Sequence, residues 1–204
     1  MYVHSLLNFV LTLTHVPFAK IDLDNRFMKN NGSECLMTVD GTDFRIQEPQ
    51  PFDAKWYSHK FNAAALRYEI GICIQTGWIV WTAGPFPAGD FNDLEIYRSY
   101  LKDMLGDGER VEVDEGYAGD LTVRTPSDYE GKHRWKVMKG KARARHEGIN
   151  GRLKDFGMLR IPFRGNRNHH CLAFKAITLA VQSEIMSGRA TFDVSYYIVR
   201  ENQW

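Results

Sequence analysis

Polar and apolar positions follow two periods along this chain, one of two residues and one close to 3.6. Leu36 to Val39 is a short apolar run ending at Asp40, and Asp43 to Ile46 is expected to pair back across Gly41-Thr42 as a hairpin. Leu66 to Ile74 and Trp78 to Phe86 flank Thr76-Gly77 and predict a second hairpin with long apolar arms. From Leu94 to Leu105 the apolar positions Leu94, Ile96, Tyr97, Tyr100, Leu101, Met104 and Leu105 match a helical period. Asn92 or Asp93 is placed to cap that helix, and Glu95 completes a capping box from Asn92. Arg110 to Val113 is another short strand, ending at Asp114. A polar connection with Pro126 leads to a basic helix from about Trp135 to Phe156, with Gly157 placed to end it. Leu172 to Met186 is an apolar closing helix that stops near Gly188. This order of elements predicts an α/β fold, a mixed sheet covered by helices.

The ends of the chain add less. Leu6 to Phe18 is apolar but broken by Asn8, Thr12, Thr14 and His15, which predicts a packed N-terminal helix and no membrane span. Residues 1–30 are expected to form this helical segment and a linker, 31–188 the main domain, and 189–204 a loosely specified tail.

At 204 residues, with 44% hydrophobic and 25% charged positions, the chain can bury one full core. Its net charge of +1 conceals an asymmetry. Between Asp107 and Glu130 there are eight acids against two bases; between Lys132 and Arg167, twelve bases against two acids, a local net charge of +10. The second stretch is either a face for a polyanion or a solvated helix cancelled in space by the first. Cys35, Cys73 and Cys171 are odd in number and far apart, which excludes a disulfide framework and points to a reducing compartment. None has zinc-site spacing, and the adjacent His169 and His170 cannot converge on one ion from a helix, so they are read as a surface and a core position.

Candidate chemistry lies in acids that are distant in sequence. Asp40 and Asp114 would stand at the ends of two strands, on one sheet edge if those strands are neighbours. On the basic helix, Arg143, Glu147, Asn150 and Lys154 share a face at steps of four, three and four. Taken singly, each acid has an ordinary explanation: Asp40-Gly41 a turn, Asp93 a helix cap, Asp114 a strand end, Glu147 an i,i+4 partner of Arg143. Taken together, widely spaced carboxylates are the arrangement that holds Mg²⁺ beside a phosphate.

Several blocks carry a resemblance: Val39-Asp40-Gly41-Thr42-Asp43-Phe44, Ser58-His59-Lys60-Phe61, Gly89 to Asp93, Asp114-Glu115-Gly116-Tyr117, and Arg143-x3-Glu147-x6-Lys154. The chain resembles the DDE superfamily endonuclease domain of PIF/Harbinger-type transposases and their domesticated nuclease relatives, from about Asn25 to about Glu184. It departs at Gly140, where that family often carries a tyrosine, and it reaches the first aspartate too soon to hold the family's N-terminal helix-turn-helix domain.

The resemblance implies an RNase H-like fold and a Mg²⁺ or Mn²⁺ site. Asp40, Asp114 and Glu147 would be the catalytic triad, with Asp93 as an additional metal ligand and Arg143, Lys154 and Lys60 holding DNA phosphates. The implied activity is metal-dependent cleavage of DNA with strand joining; the alternative is a domesticated, inactive DNA-binding or adaptor protein on the same fold. The implied partners are DNA, a Myb-like DNA-binding helper and a second copy of the chain, and the implied location is the nucleus. Lys139 to Arg145 also reads as a nuclear import signal, although it overlaps the proposed catalytic helix.

Overall fold

The computed structural model describes residues 20–29, 32–129 and 133–189; the expected N-terminal helix and the tail lie outside them. Among the described residues, six strands run as β1 Cys35–Arg45, β2 Tyr57–Ser58, β3 Ala63–Cys73, β4 Ile79–Pro87, β5 Arg110–Glu112 and β6 Val123–Arg124. The α-helices are α1 Asp93–Tyr100, α2 His133–Asp155, α3 Gly157–Arg160 and α4 Arg167–Met186. None is long and apolar enough to cross a membrane.

The strands make one mixed sheet in the order β2-β3-β1-β5-β6, with β4 also pairing β3. β3 is antiparallel to β1 and to β4, whereas β5 runs parallel to β1 and β6 parallel to β5. The mixed α/β architecture is therefore as expected, and the hairpin around Thr76-Gly77 is present. The hairpin expected across Gly41-Thr42 is not. β1 continues through it as one strand, with Asp40 opposite Ile70, Gly41 opposite Glu69 and Thr42 opposite Tyr68. The long arm of β3 explains this: a turn at Gly41 would leave mid-strand N–H and C=O groups of β3 without a ladder on that edge.

Both faces of the sheet are covered, which accounts for the nearly unbroken apolar sequence of β3. On one face Phe44, Leu66, Tyr68, Ile70 and Ile72 pack against Ile149 and Leu153 of α2 and Phe174, Ile177 and Val181 of α4. On the other, Met37, Val39, Val111 and Val113 pack against Ile96, Tyr97 and Leu101, the last just past α1. In α2 the buried residues Ala142, His146, Ile149 and Leu153 recur at steps of four, three and four, the stripe expected of a helix with one buried face.

Local signals set the ends. Asn92 caps α1 with the full capping box to Glu95. α1 is shorter than the apolar pattern, because its continuation tightens into a 3-10 turn at Lys102–Met104. α4 begins at Arg167, capped by Asn166, five residues before the apolar run that marks it in the sequence; it ends before Gly188, whose φ of 97° suits glycine. Gly157 follows α2 as expected and also opens α3. The three cysteines are unpaired, and His170 is buried on Tyr68, whose hydroxyl is 2.8 Å from Nδ1, while His169 is exposed. Part of the acidic stretch finds cations away from the basic one: Asp120 pairs with Arg98 and Lys102, and Glu109 with the buried Arg26.

Candidate active site

β1 and β5 are parallel neighbours in register at Thr38 and Glu112. Two residues past that pair stand Asp40, within β1, and Asp114, just beyond the end of β5, so the fold brings near one another two acids that are 74 positions apart in sequence. Asp114 caps the 3-10 turn Glu115–Tyr117 by accepting the Gly116 N–H at 2.8 Å on Oδ1. The third wall is α2, held over β1 by a buried 2.8 Å hydrogen bond between Thr38 Oγ1 and His146 Nε2. Burial lowers the His146 pKa to about 3, so this ring is neutral and acts as a fixed polar link. Arg145, the residue before it, also ties α2 to the sheet, donating to the Ile74 carbonyl at 2.6 Å.

The result is an open cavity of about 300 Å³ whose lining includes Asp40, Asp114, Arg143 and Glu147. The three acids expected to form the triad thus face one space. Glu147 makes no ion pair with Arg143 among the described residues, so the ordinary reading of it as a helix salt-bridge partner does not hold here. The Asp40 pKa is raised to about 6, first by burial and then by the charges of Asp114 and Asp93, with Lys60 acting in the opposite direction.

Asp93 sits elsewhere. It opens α1 on the opposite face of β1, directly against the Gly41 backbone; a Cβ at Gly41 would collide with its carboxylate, with Cγ at 2.9 Å. Its charge is felt at Asp40, but it does not line the cavity. Lys60 lies in the turn between β2 and β3 and acts electrostatically on both Asp40 and Asp93. The Lys154 ammonium lies 5.7 Å from the ring centres of Phe44 and Phe61, away from the cavity lining.

Asp93 rests on a buried polar group that the sequence pattern leaves without a role. Arg67 donates from Nε and Nη2 to the two oxygens of Asp43, at 2.8 and 3.1 Å, and from Nη1 to the Phe91 carbonyl at 2.9 Å. Asp43 also accepts from Ser58 Oγ at 2.6 Å, and Arg67 lies 3.4 Å from Asp93. Next to it, fully buried Glu69 accepts from the Tyr117 hydroxyl at 2.9 Å. Burial raises the Glu69 pKa to about 9, so it is a neutral acid at physiological pH. A signal for this group does exist: Arg67 and Glu69 stand two apart in an otherwise apolar strand, hence on one face, opposite Asp43 and Gly41.

Hard carboxylate oxygens that repel one another suit a Mg²⁺ or Mn²⁺ ion; burial is the main cause of the elevated Asp40 pKa, and the charges of Asp114 and Asp93 add to it. Among the described residues, however, no group of three or more His, Cys, Asp or Glu side chains forms a ready-made metal site. Asp40, Asp114 and Glu147 share a cavity without being drawn into a chelate.

No curated protein and no solved structure shows significant similarity to the chain. A family model, described as DDE superfamily endonuclease, matches residues 39–181, a span that contains all four acids and the whole of α2. With most of its length matched, the chain belongs to the DDE superfamily endonucleases.

Proposed function

We propose that this protein is a transposase-like, divalent-metal-dependent DNA endonuclease in which Asp40, Asp114 and Glu147 are the catalytic carboxylates. The observation that carries the reading is their shared cavity, built from two neighbouring parallel strands and a basic helix within a DDE endonuclease chain. Three antiparallel strands followed by two parallel ones support an RNase H-like scaffold. The motif blocks around the four acids support the PIF/Harbinger type, and with it action in the nucleus beside a Myb-like DNA-binding helper. Two copies would be needed to cut two transposon ends.

Asp40, Asp114 and Glu147 would hold Mg²⁺ or Mn²⁺, with Asp93 as a further acid near the site. When bound, the metal supplies Lewis-acid activation of a water or a DNA 3′-hydroxyl and charge stabilisation of the leaving oxygen. The chain's own residues do the rest. Asp40 must be ionised to serve as a ligand, and its environment holds back that ionisation until about pH 6. Arg143, on the cavity wall, offers a planar fork for a phosphate. Lys60 and Lys154 add positive charge that holds phosphates without reading bases.

The second reading, an inactive DNA-binding or adaptor protein, draws on the lack of a ready-made metal site among the described residues. Nicking of supercoiled DNA by the purified chain separates the two. The endonuclease reading expects nicking in Mg²⁺ or Mn²⁺, none in EDTA, and a metal requirement that rises as the pH drops below about 6, where Asp40 of the metal-free site takes up a proton. DNA binding without nicking under any metal condition would favour the adaptor.

A further inference from the structure

Beyond the cavity, unneutralised cations gather around the rings of one hairpin. The Phe61 ring centre lies 5.7 Å from the Lys154 ammonium and 6.0 Å from the Arg45 guanidinium. Five residues earlier in the same segment, the Arg167 guanidinium lies 3.7 Å from the ring centre of Trp56. Arg45, Lys60 and Arg167 are exposed, Lys154 is half-buried, and none of the four makes an ion pair among the described residues. Lys55 is different, since Asp53 neutralises it at 2.8 Å.

Such a cluster is incomplete by itself. Burial and the charge of Lys60 lower the Lys154 pKa, with only Asp43 acting the other way, so nearby negative charge would relieve the repulsion. Aromatic faces hold these cations in place but do not neutralise them. A single small anion would satisfy one or two of them. Cations held on two separate rings, Phe61 and Trp56, present more than one anchoring point, as a chain of phosphates requires. Lys60 links this surface to the acid site, because its charge acts on Asp40, on Asp93 and on Lys154.

We infer that the surface formed by Lys60, Lys154, Arg45 and Phe61, and continued by Arg167 on Trp56, is a phosphate track for the DNA flanking the cut, leading away from the Asp40 cavity. The inference rests on the endonuclease reading and adds to it Arg45, Arg167 and the direction in which the substrate leaves. Lys154 and Arg167 belong to the concentrated basic stretch, and β1 supplies Arg45 from a distant part of the sequence.

The test is the salt dependence of binding to a labelled DNA duplex by the full chain, in the absence of Mg²⁺ and Mn²⁺ so that nothing is cut. Removing two phosphate contacts in the double variant Arg45→Ala/Arg167→Ala is expected to reduce the slope of log affinity against log salt by about 1.8. Arg45→Lys/Arg167→Lys, which keeps both charges, is expected to retain most of the slope. An unchanged slope in the alanine variant overturns the track. So does an equal loss in the lysine variant, since the effect would then follow from shape and not from charge. Neither result touches the endonuclease reading, which is judged by metal-dependent nicking with the unmodified chain.

Discussion

Asp40→Asn is expected to lower metal-dependent cleavage by about a thousandfold or more while leaving the protein at least as stable as the parent. The first half follows from position. Asp40 is the most buried of the three cavity acids and lies beside Asp114 across the β1–β5 pair. Losing one preorganised electrostatic group in a catalytic site costs on the order of 10²–10³ in rate, and loss of a shared metal ligand should be at the upper end or beyond. The second half follows from charge. The folded pKa of Asp40, about 6, exceeds its ordinary value of 3.8, so ionised Asp40 opposes folding. That sign means stability declines as the pH rises from about 4 to about 6 and stays lower above it. The loss is bounded by about 1.4 kcal/mol for each factor of ten by which folding tightens the hold on that proton. A neutral amide removes the penalty. Cleavage rates and thermal melting at neutral pH check both halves. An active Asp40→Asn protein would rule out the assigned role, and an inactive but unfolded one would show that the site is built differently.

Arg67→Ala is expected to destabilise the fold by about 3–5 kcal/mol, the loss that follows when one partner is removed from a buried ion pair. Only 3% of the Asp43 side chain is exposed, and without Arg67 its carboxylate would keep the Ser58 hydroxyl alone. The Phe91 carbonyl, which precedes α1, would lose its donor as well. Against a typical total of about 5–15 kcal/mol this is a large fraction. Because Arg67 fixes the approach to Asp93, the surviving folded fraction should also cleave more slowly. Arg67→Lys should fall between, since an ammonium keeps the charge but cannot form the bidentate fork. Urea unfolding measures the loss, and a change below about 1 kcal/mol would mean that the pair contributes little.

The parts of the fold legible in the sequence were those set by local rules. Period and capping marked the β3–β4 hairpin, the start of α1 and the extent of α2. The Gly41 region misled because Asp-Gly is a good local turn, whereas eleven residues of β3 give β1 a continuous partner that no local signal reveals. The glycine there serves another end, leaving room for the Asp93 carboxylate. For the candidate site, the acids singled out in the sequence include three that line one cavity, but their division between two faces of β1 was not legible: Asp40 on the α2 side, Asp93 on the α1 side. It also missed Asp43, Arg67, Glu69 and Tyr117, because a buried polar group is recognisable only once cross-strand register sets those residues opposite one another.

The most direct test of the central claim is the anomalous signal of manganese in crystals of this protein soaked in Mn²⁺. A shared carboxylate site predicts Mn²⁺ within coordination distance of Asp40, with Asp114 and Glu147 drawn toward it, and the loss of that peak in Asp40→Asn crystals. A cavity without manganese under conditions in which the same preparation nicks DNA would contradict it.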